Sequence, residues 1–283
     1  KELKNAAHAQ IVSGPKLQSS ILPPVTIDKK LPPIDFWKTE TGHIFDFGQN
    51  FSGFVELNAS LPSGTEIVLH YAELVHADGT LNTASNRGAR AEDRFISGGR
   101  KVSWHPLFTY HGFRYVELCG FPGEPTKEAL TGIFIHTSAD CSSFFKCSND
   151  IINSIHRNVL WGQLSNMCGI PTDSPQRDER HGWLADAMLS AEECLLNFMP
   201  INFYEKFIGD IVDTQQPDGS ISDTAPRFWM NKPADPAWGS ALITISWELY
   251  RYTGDSYILE TYYNSFVRYI DFLLHHVWTS TGL

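Results

Sequence analysis

Apolar residues in the first half of the chain come in short runs that alternate with polar ones and stop at turn residues. "HIFDFG", "GFVELNASL", "TEIVLHYAEL", "DRFISGG", "HGFRYVEL" and "TGIFIHT" follow one another over residues 36–137, separated by breaks such as "LPSGT" and "HADGT". Period-two alternation broken by glycine-bearing turns predicts short antiparallel strands packed as a β-sandwich. The charged stretch "NRGARAEDRF" (86–95) reads as an exposed edge or loop of that sandwich, and nothing in this half looks catalytic. Residues 1–35 are rich in Pro, Lys and Ser and show no sustained period, so they read as a connecting segment or the tail of an upstream domain.

After Ser148 the period changes. "SNDIINSIHRNVLWGQLSN" has apolar residues at 151, 152, 155 and 159 behind Ser148 as N-cap, which predicts an amphipathic helix. Further helices are expected at about 185–198, 201–216, 236–253 and 256–277. The 236–253 helix opens on Asp235-Pro236, an N-cap acid followed by proline at the first helical position. About five helices with long polar connections and no strands between them fit helical hairpins around a common axis.

Composition narrows the function classes. At 283 residues and 42% hydrophobic content the chain can bury large cores and form two domains. A net charge of −10 without any basic stripe argues against nucleic acid and anionic membrane as partners. No apolar run reaches the roughly 18 residues of a membrane span. The first residues lack the apolar core of a signal peptide, which leaves the compartment open. Five cysteines (Cys119, Cys141, Cys147, Cys168, Cys194), odd in number and without a CxxC pair, indicate buried free thiols rather than disulfides or zinc. A phosphate-binding glycine loop and a GxSxG elbow are both absent, and His275-His276 lack metal-ligand spacing, so no cofactor and no metal are expected.

One stretch concentrates charge. "PTDSPQRDERHGW" (171–183) carries Asp173, Asp178 and Glu179 with Arg177 and Arg180, and its two prolines keep it from forming one continuous helix. A mixed-charge connection is more often a solvated surface than a site. Glycoside hydrolysis nevertheless needs these ingredients: an acid for the leaving oxygen, a second carboxylate for water, and polar groups for sugar hydroxyls. Trp183, Trp229 and Trp238 all fall in or beside connections, where aromatic faces can stack on sugar rings or, as often for a single Trp, wedge helix ends. Asp235 is most simply a cap and "QPDGS" (216–220) a β-turn.

Taken as a unit, "IPTDSPQRDERHGWLADA" resembles the bacterial α-L-rhamnosidases, inverting glycoside hydrolases with β-sandwich domains before an (α/α)6 catalytic barrel. "FDFGQNFSGFVEL", "GTEIVLHYAEL", "FTYHGFRYVEL" and "FFKCSNDIINSIHRNVLWGQLSN" are similar to that family's sandwich and its junction with the barrel, and "TQQPDGSISDTAP" and "DPAWGSA" to later barrel segments. The resemblance implies an antiparallel, jelly-roll-like β-sandwich over 36–140, then the first part of an (α/α)6 barrel over 141–283. It implies Glu179 as general acid, and Asp173 and Asp186 as acids that bind rhamnose hydroxyls beside Arg177. Asp178 matches the motif with a less defined substrate-binding role, and Trp183, Trp229 and Trp238 would line the subsite. The implied partner is a carbohydrate ending in α-L-rhamnose. The family's general base is a Glu from later in the barrel, and none equivalent is reached before Leu283. The expectation is therefore an incomplete catalyst with exposed apolar helix faces that aggregates or needs a partner, a homo-oligomer included. Alternatives are another six-hairpin glycosidase with a different sugar, or a non-catalytic carbohydrate-binding protein.

Overall fold

The structure, a computed structural model, describes residues 9–17, 19–228 and 233–281. Ten strands occupy the first half: β1 (Val25–Leu31), β2 (Asp35–Lys38), β3 (Gly42–Ser60), β4 (Glu66–Ala72), β5 (Leu74–Val75), β6 (Leu81–Asn82), β7 (Glu92–Ile96), β8 (Lys101–Trp104), β9 (His111–Cys119) and β10 (Leu130–Thr137). Eight form one antiparallel sheet in the order β1-β10-β3-β9-β4-β7, with β2 and β8 also paired to β3. The 19-residue β3 makes this possible. Its first part pairs with β2 and its later part with β10 and then β8, while β9 runs along the other edge with a register shift between Asp46 and Phe51. Such an irregularity raises the local twist and lets one long strand serve both sides of a curled sheet. The buried face is aromatic, with the Phe51 and Phe113 rings 4.5 Å apart. The predicted β domain is thus present, but β1 begins inside the segment read as a connection: Val25–Leu31 pairs with β10.

Six helices follow: α1 (Asp150–Ser165), α2 (Leu184–Asn197), α3 (Ile201–Asp213), α4 (Pro236–Gly239), α5 (Ala241–Thr253) and α6 (Tyr257–Thr281). The stretch expected as one helix over 236–253 breaks at Ser240 into α4 and α5, and Asp235 caps α4 by accepting from Ala237 N at 2.9 Å. Asn149, not Ser148, caps α1, accepting from Ile151 N and Ile152 N at 2.9 and 3.3 Å. α2 buries Leu184, Ala187, Ala191, Cys194 and Leu195, a stripe at helical spacing that packs on α5. The apolar residues that predicted α1 behave differently: Ile151, Ile152, Ile155 and Val159 are all exposed, and the helix docks instead through its last two turns. There the Trp161 ring lies 4.8 Å from Phe134 of β10, and Ser52 of β3 donates to the Ser165 carbonyl at 2.6 Å. All five cysteines are free, but only Cys194 is buried; Cys141 is exposed on the segment joining sheet to helices.

Candidate functional site

The connection between α1 and α2 is an irregular loop whose shape depends on residues held in left-handed backbone. Ser174 and Arg180 have φ of 42° and 63°, conformations that a non-glycine residue keeps only when its surroundings enforce them. Asp173 provides part of that enforcement. Its amide donates to the His181 carbonyl at 3.1 Å, and its Oδ1 accepts the His181 amide at 2.7 Å, which closes the loop on itself. Arg180 donates from Nε to the Pro175 carbonyl at 3.0 Å, with its guanidinium 4.4 Å over the Tyr110 ring. The sheet lies directly beneath: a Cβ on Gly112 of β9 would stand 2.8 Å from the Gln176 backbone nitrogen, so only glycine admits the loop at this distance.

Glu179 is the most contacted acid of the loop. Its Oε2 takes Arg177 at 2.6 Å and Arg87 at 2.9 Å, and its Oε1 accepts the Trp183 indole at 3.1 Å. Arg87 also donates from Nε to Asp178 Oδ1 at 2.8 Å. This arginine comes from the stretch between β6 and β7, with φ of 51°, and sequence reasoning passed over it. No local signal could have found it, because its partners lie 91 and 92 residues away.

Electrostatics separate the acids. Burial pushes the Glu179 carboxyl up, but Arg177, the Trp183 hydrogen bond and Arg87 outweigh it and hold the group below the usual glutamate range. Asp178 is lowered in the same way, its partial desolvation outweighed by Arg87. Asp173 is raised, first by burial and then by the negative charges of Glu179 and Asp186, against the His181 amide. Of the two acids that bear on a proton-transfer role, the fold therefore favours the protonated form of Asp173 and the ionised form of Glu179.

Asp173 and Asp186 meet across one cavity of about 310 Å³, lined also by Ser174, Ser190 and, from α1, Gln163 and Asn166. Glu179, Arg177 and Trp183 border Asp173 in sequence but do not line that cavity, and Asp178 faces Arg87 rather than the cavity. Asp186 sits in the first turn of α2, where a carboxylate also complements the helix dipole. Trp183 is half-buried at the start of α2. Trp238 packs against the helical core, and its Nε1 is buried without a hydrogen-bond partner among the described residues. Trp229 lies outside the described residues. Among the described residues no group of three or more His, Cys, Asp or Glu is arranged to hold a metal ion.

Comparison with known proteins places both halves together. Residues 38–136 match the family model described as bacterial α-L-rhamnosidase concanavalin-like domain, and residues 140–281 match the bacterial α-L-rhamnosidase 6 hairpin glycosidase domain. The chain is 38% identical over 238 residues to an α-L-rhamnosidase of Streptomyces avermitilis and 33% identical over 240 residues to one of Formosa agariphila. These alignments cover 83% and 84% of the chain but 23% and 26% of the relatives, so the chain spans about a quarter of their length. Among solved structures, an α-L-rhamnosidase from Dictyoglumus thermophilum superposes with a TM-score of 0.90 at 49% identity, over 92% of this chain and 30% of that one. The Streptomyces avermitilis α-L-rhamnosidase, complexed with L-rhamnose, gives a TM-score of 0.89 at 36% identity, over 91% and 25%.

Proposed function

Because the chain belongs to the bacterial α-L-rhamnosidase family, we propose that it carries the proton-donating side of an inverting α-L-rhamnosidase site, acting on carbohydrates that end in α-L-rhamnose. Asp173 and Asp186 hold the sugar hydroxyls in the cavity they share. Glu179 protonates the leaving oxygen, and Arg177 and Trp183 fix its orientation. The water-activating carboxylate belongs on the opposite face of the sugar, about 6.5–9.5 Å from the acid, and so on a different connection of the barrel from this loop. The observation that carries the reading is the convergence of two acids on one small polar cavity, beside a third acid gripped by an indole and two guanidiniums.

For Glu179 to bear a proton, a guanidinium must loosen. Arg87 is the candidate, since its side chain is 48% exposed against 32% for Arg177. The test uses the full-length natural protein with substrates of good and poor leaving groups. Glu179→Gln should cut kcat by about 10²–10⁴-fold on poor leaving groups and much less on aryl α-L-rhamnosides. Near-wild-type rates on both would remove the assignment. A second reading has one specific observation in its favour: the raised Asp173 makes it the alternative donor. Leaving-group sensitivity that follows Asp173→Asn instead of Glu179→Gln would select it.

A further inference from the structure

The geometry points to a leaving-group subsite on the β domain: a polar groove that starts at Arg87 and accepts the hydroxyl-rich, saccharide aglycone of the rhamnoside. The inference rests on the reading that Glu179 protonates the glycosidic oxygen. A proton donor must face the leaving group, so whatever lies beyond the donor is where the aglycone emerges. Arg87 touches Glu179 at 2.9 Å and also lines a second cavity, about 510 Å³, which shares no lining residue with the cavity of Asp173 and Asp186. That volume lies inside the range of about 300–1,000 Å³ typical of small-ligand sites.

The walls choose the ligand class. Threonines, His70 of β4, Glu117 of β9, Arg90 and Asn86 supply donors and acceptors, and among the described residues no Phe, Tyr or Trp lines the groove. A flat aromatic aglycone would find no ring to stack on, whereas sugar hydroxyls find partners of both kinds. Asn86 fixes the groove floor: it is only 4% exposed and its Nδ2 donates to the Tyr71 carbonyl at 2.9 Å.

The test compares two substrates in the full-length protein: p-nitrophenyl α-L-rhamnoside, whose aglycone is a single aromatic ring, and a rhamnose-capped trisaccharide, whose saccharide aglycone extends along the groove. Two exposed wall residues outside the acid cluster are changed separately. Thr83→Trp narrows the groove, and Arg90→Ala removes a charged donor. Each should lower kcat/KM for the trisaccharide by about ten-fold, mainly through KM, and leave the aryl substrate within about two-fold. Equal changes on both substrates, no change on either, or a wild type that cleaves only the aryl substrate would overturn the groove while leaving the rhamnosidase reading intact. A wild type inactive on every α-L-rhamnoside would overturn that reading and the groove with it.

Discussion

Replacing Arg87 by methionine keeps an unbranched stem and removes the guanidinium that reaches Glu179 from the sheet. In the folded protein Arg87 Nη2 stands 2.9 Å from Glu179 Oε2, with the arginine side chain 48% and the glutamate 16% exposed. An opposite charge this close favours the ionised carboxylate, and Arg87 joins Arg177 and the Trp183 hydrogen bond in holding Glu179 below the usual glutamate range. Arg87→Met should therefore raise the Glu179 pKa, with Arg177 still in contact. A general acid works only while protonated, so the alkaline limb of kcat/KM on an α-L-rhamnoside with a poor leaving group, where protonation limits the rate, should move to higher pH. The same contact stabilises the fold above the ordinary glutamate pKa, near 4.3, and that contribution disappears as pH falls through the lowered folded value. Arg87→Met should thus melt lower than wild type at pH 7, with the difference shrinking as pH falls. An alkaline limb that stays in place while the enzyme remains folded and active would refute the link between Arg87 and the acid.

The loop and its supports give three further tests. Asp173→Asn should weaken L-rhamnose binding by ten-fold or more in calorimetry, since hydrogen bonds to a charged group contribute roughly 1.5–3 kcal/mol; unchanged affinity counts against a sugar-holding role. Glu193, on α2, is pushed up to about 7 by burial. The fold prefers it protonated, so stability should fall as pH rises from about 4.5 to 7, by up to about 3 kcal/mol, and Glu193→Gln should abolish that decline; parallel melting curves for the two proteins from pH 5 to pH 8 would reject this. Gly112→Ala should push the loop at Gln176 and lower kcat by about ten-fold or more while the sheet stays folded, and a variant with normal kcat would show that the loop does not depend on this close approach.

What could be seen in the sequence was whatever depends on neighbours along the chain. The five predicted helical stretches lie close to α1, α2, α3, the α4–α5 pair and α6, because each combines helical spacing with a local start or stop signal such as Asp235-Pro236. The alternating runs likewise recovered the sheet, since alternation records which side of a strand is buried. The acid loop stood out because Pro171 and Pro175 bar a helix and its charges had no other local role. Hidden were the features set by distant partners. The Ile151–Val159 stripe is apolar yet exposed, because periodicity tells that a face is distinct and not what covers it. The low Glu179 pKa rests on Arg177 and Trp183 nearby and also on Arg87, more than ninety residues upstream. Trp238, open in sequence between a sugar platform and a wedge at helix ends, packs in the fold against the helical core, a contact its neighbours along the chain do not reveal.

The bracing of the acid loop from below, by Arg87 on its carboxylates and by the bare backbone of Gly112 under Gln176, carries an evolutionary consequence. A sheet and a helical barrel look like interchangeable modules, each with its own interior and free to be recombined. Here the chemistry of one is tuned by residues inherited with the other. Insertions or deletions in the turn that carries Arg87 would be felt at the reacting bond, although that turn lies outside the barrel. Exchange of the two modules between relatives should succeed only when this turn and the acid loop travel together, so the pair is expected to drift as a single unit of selection.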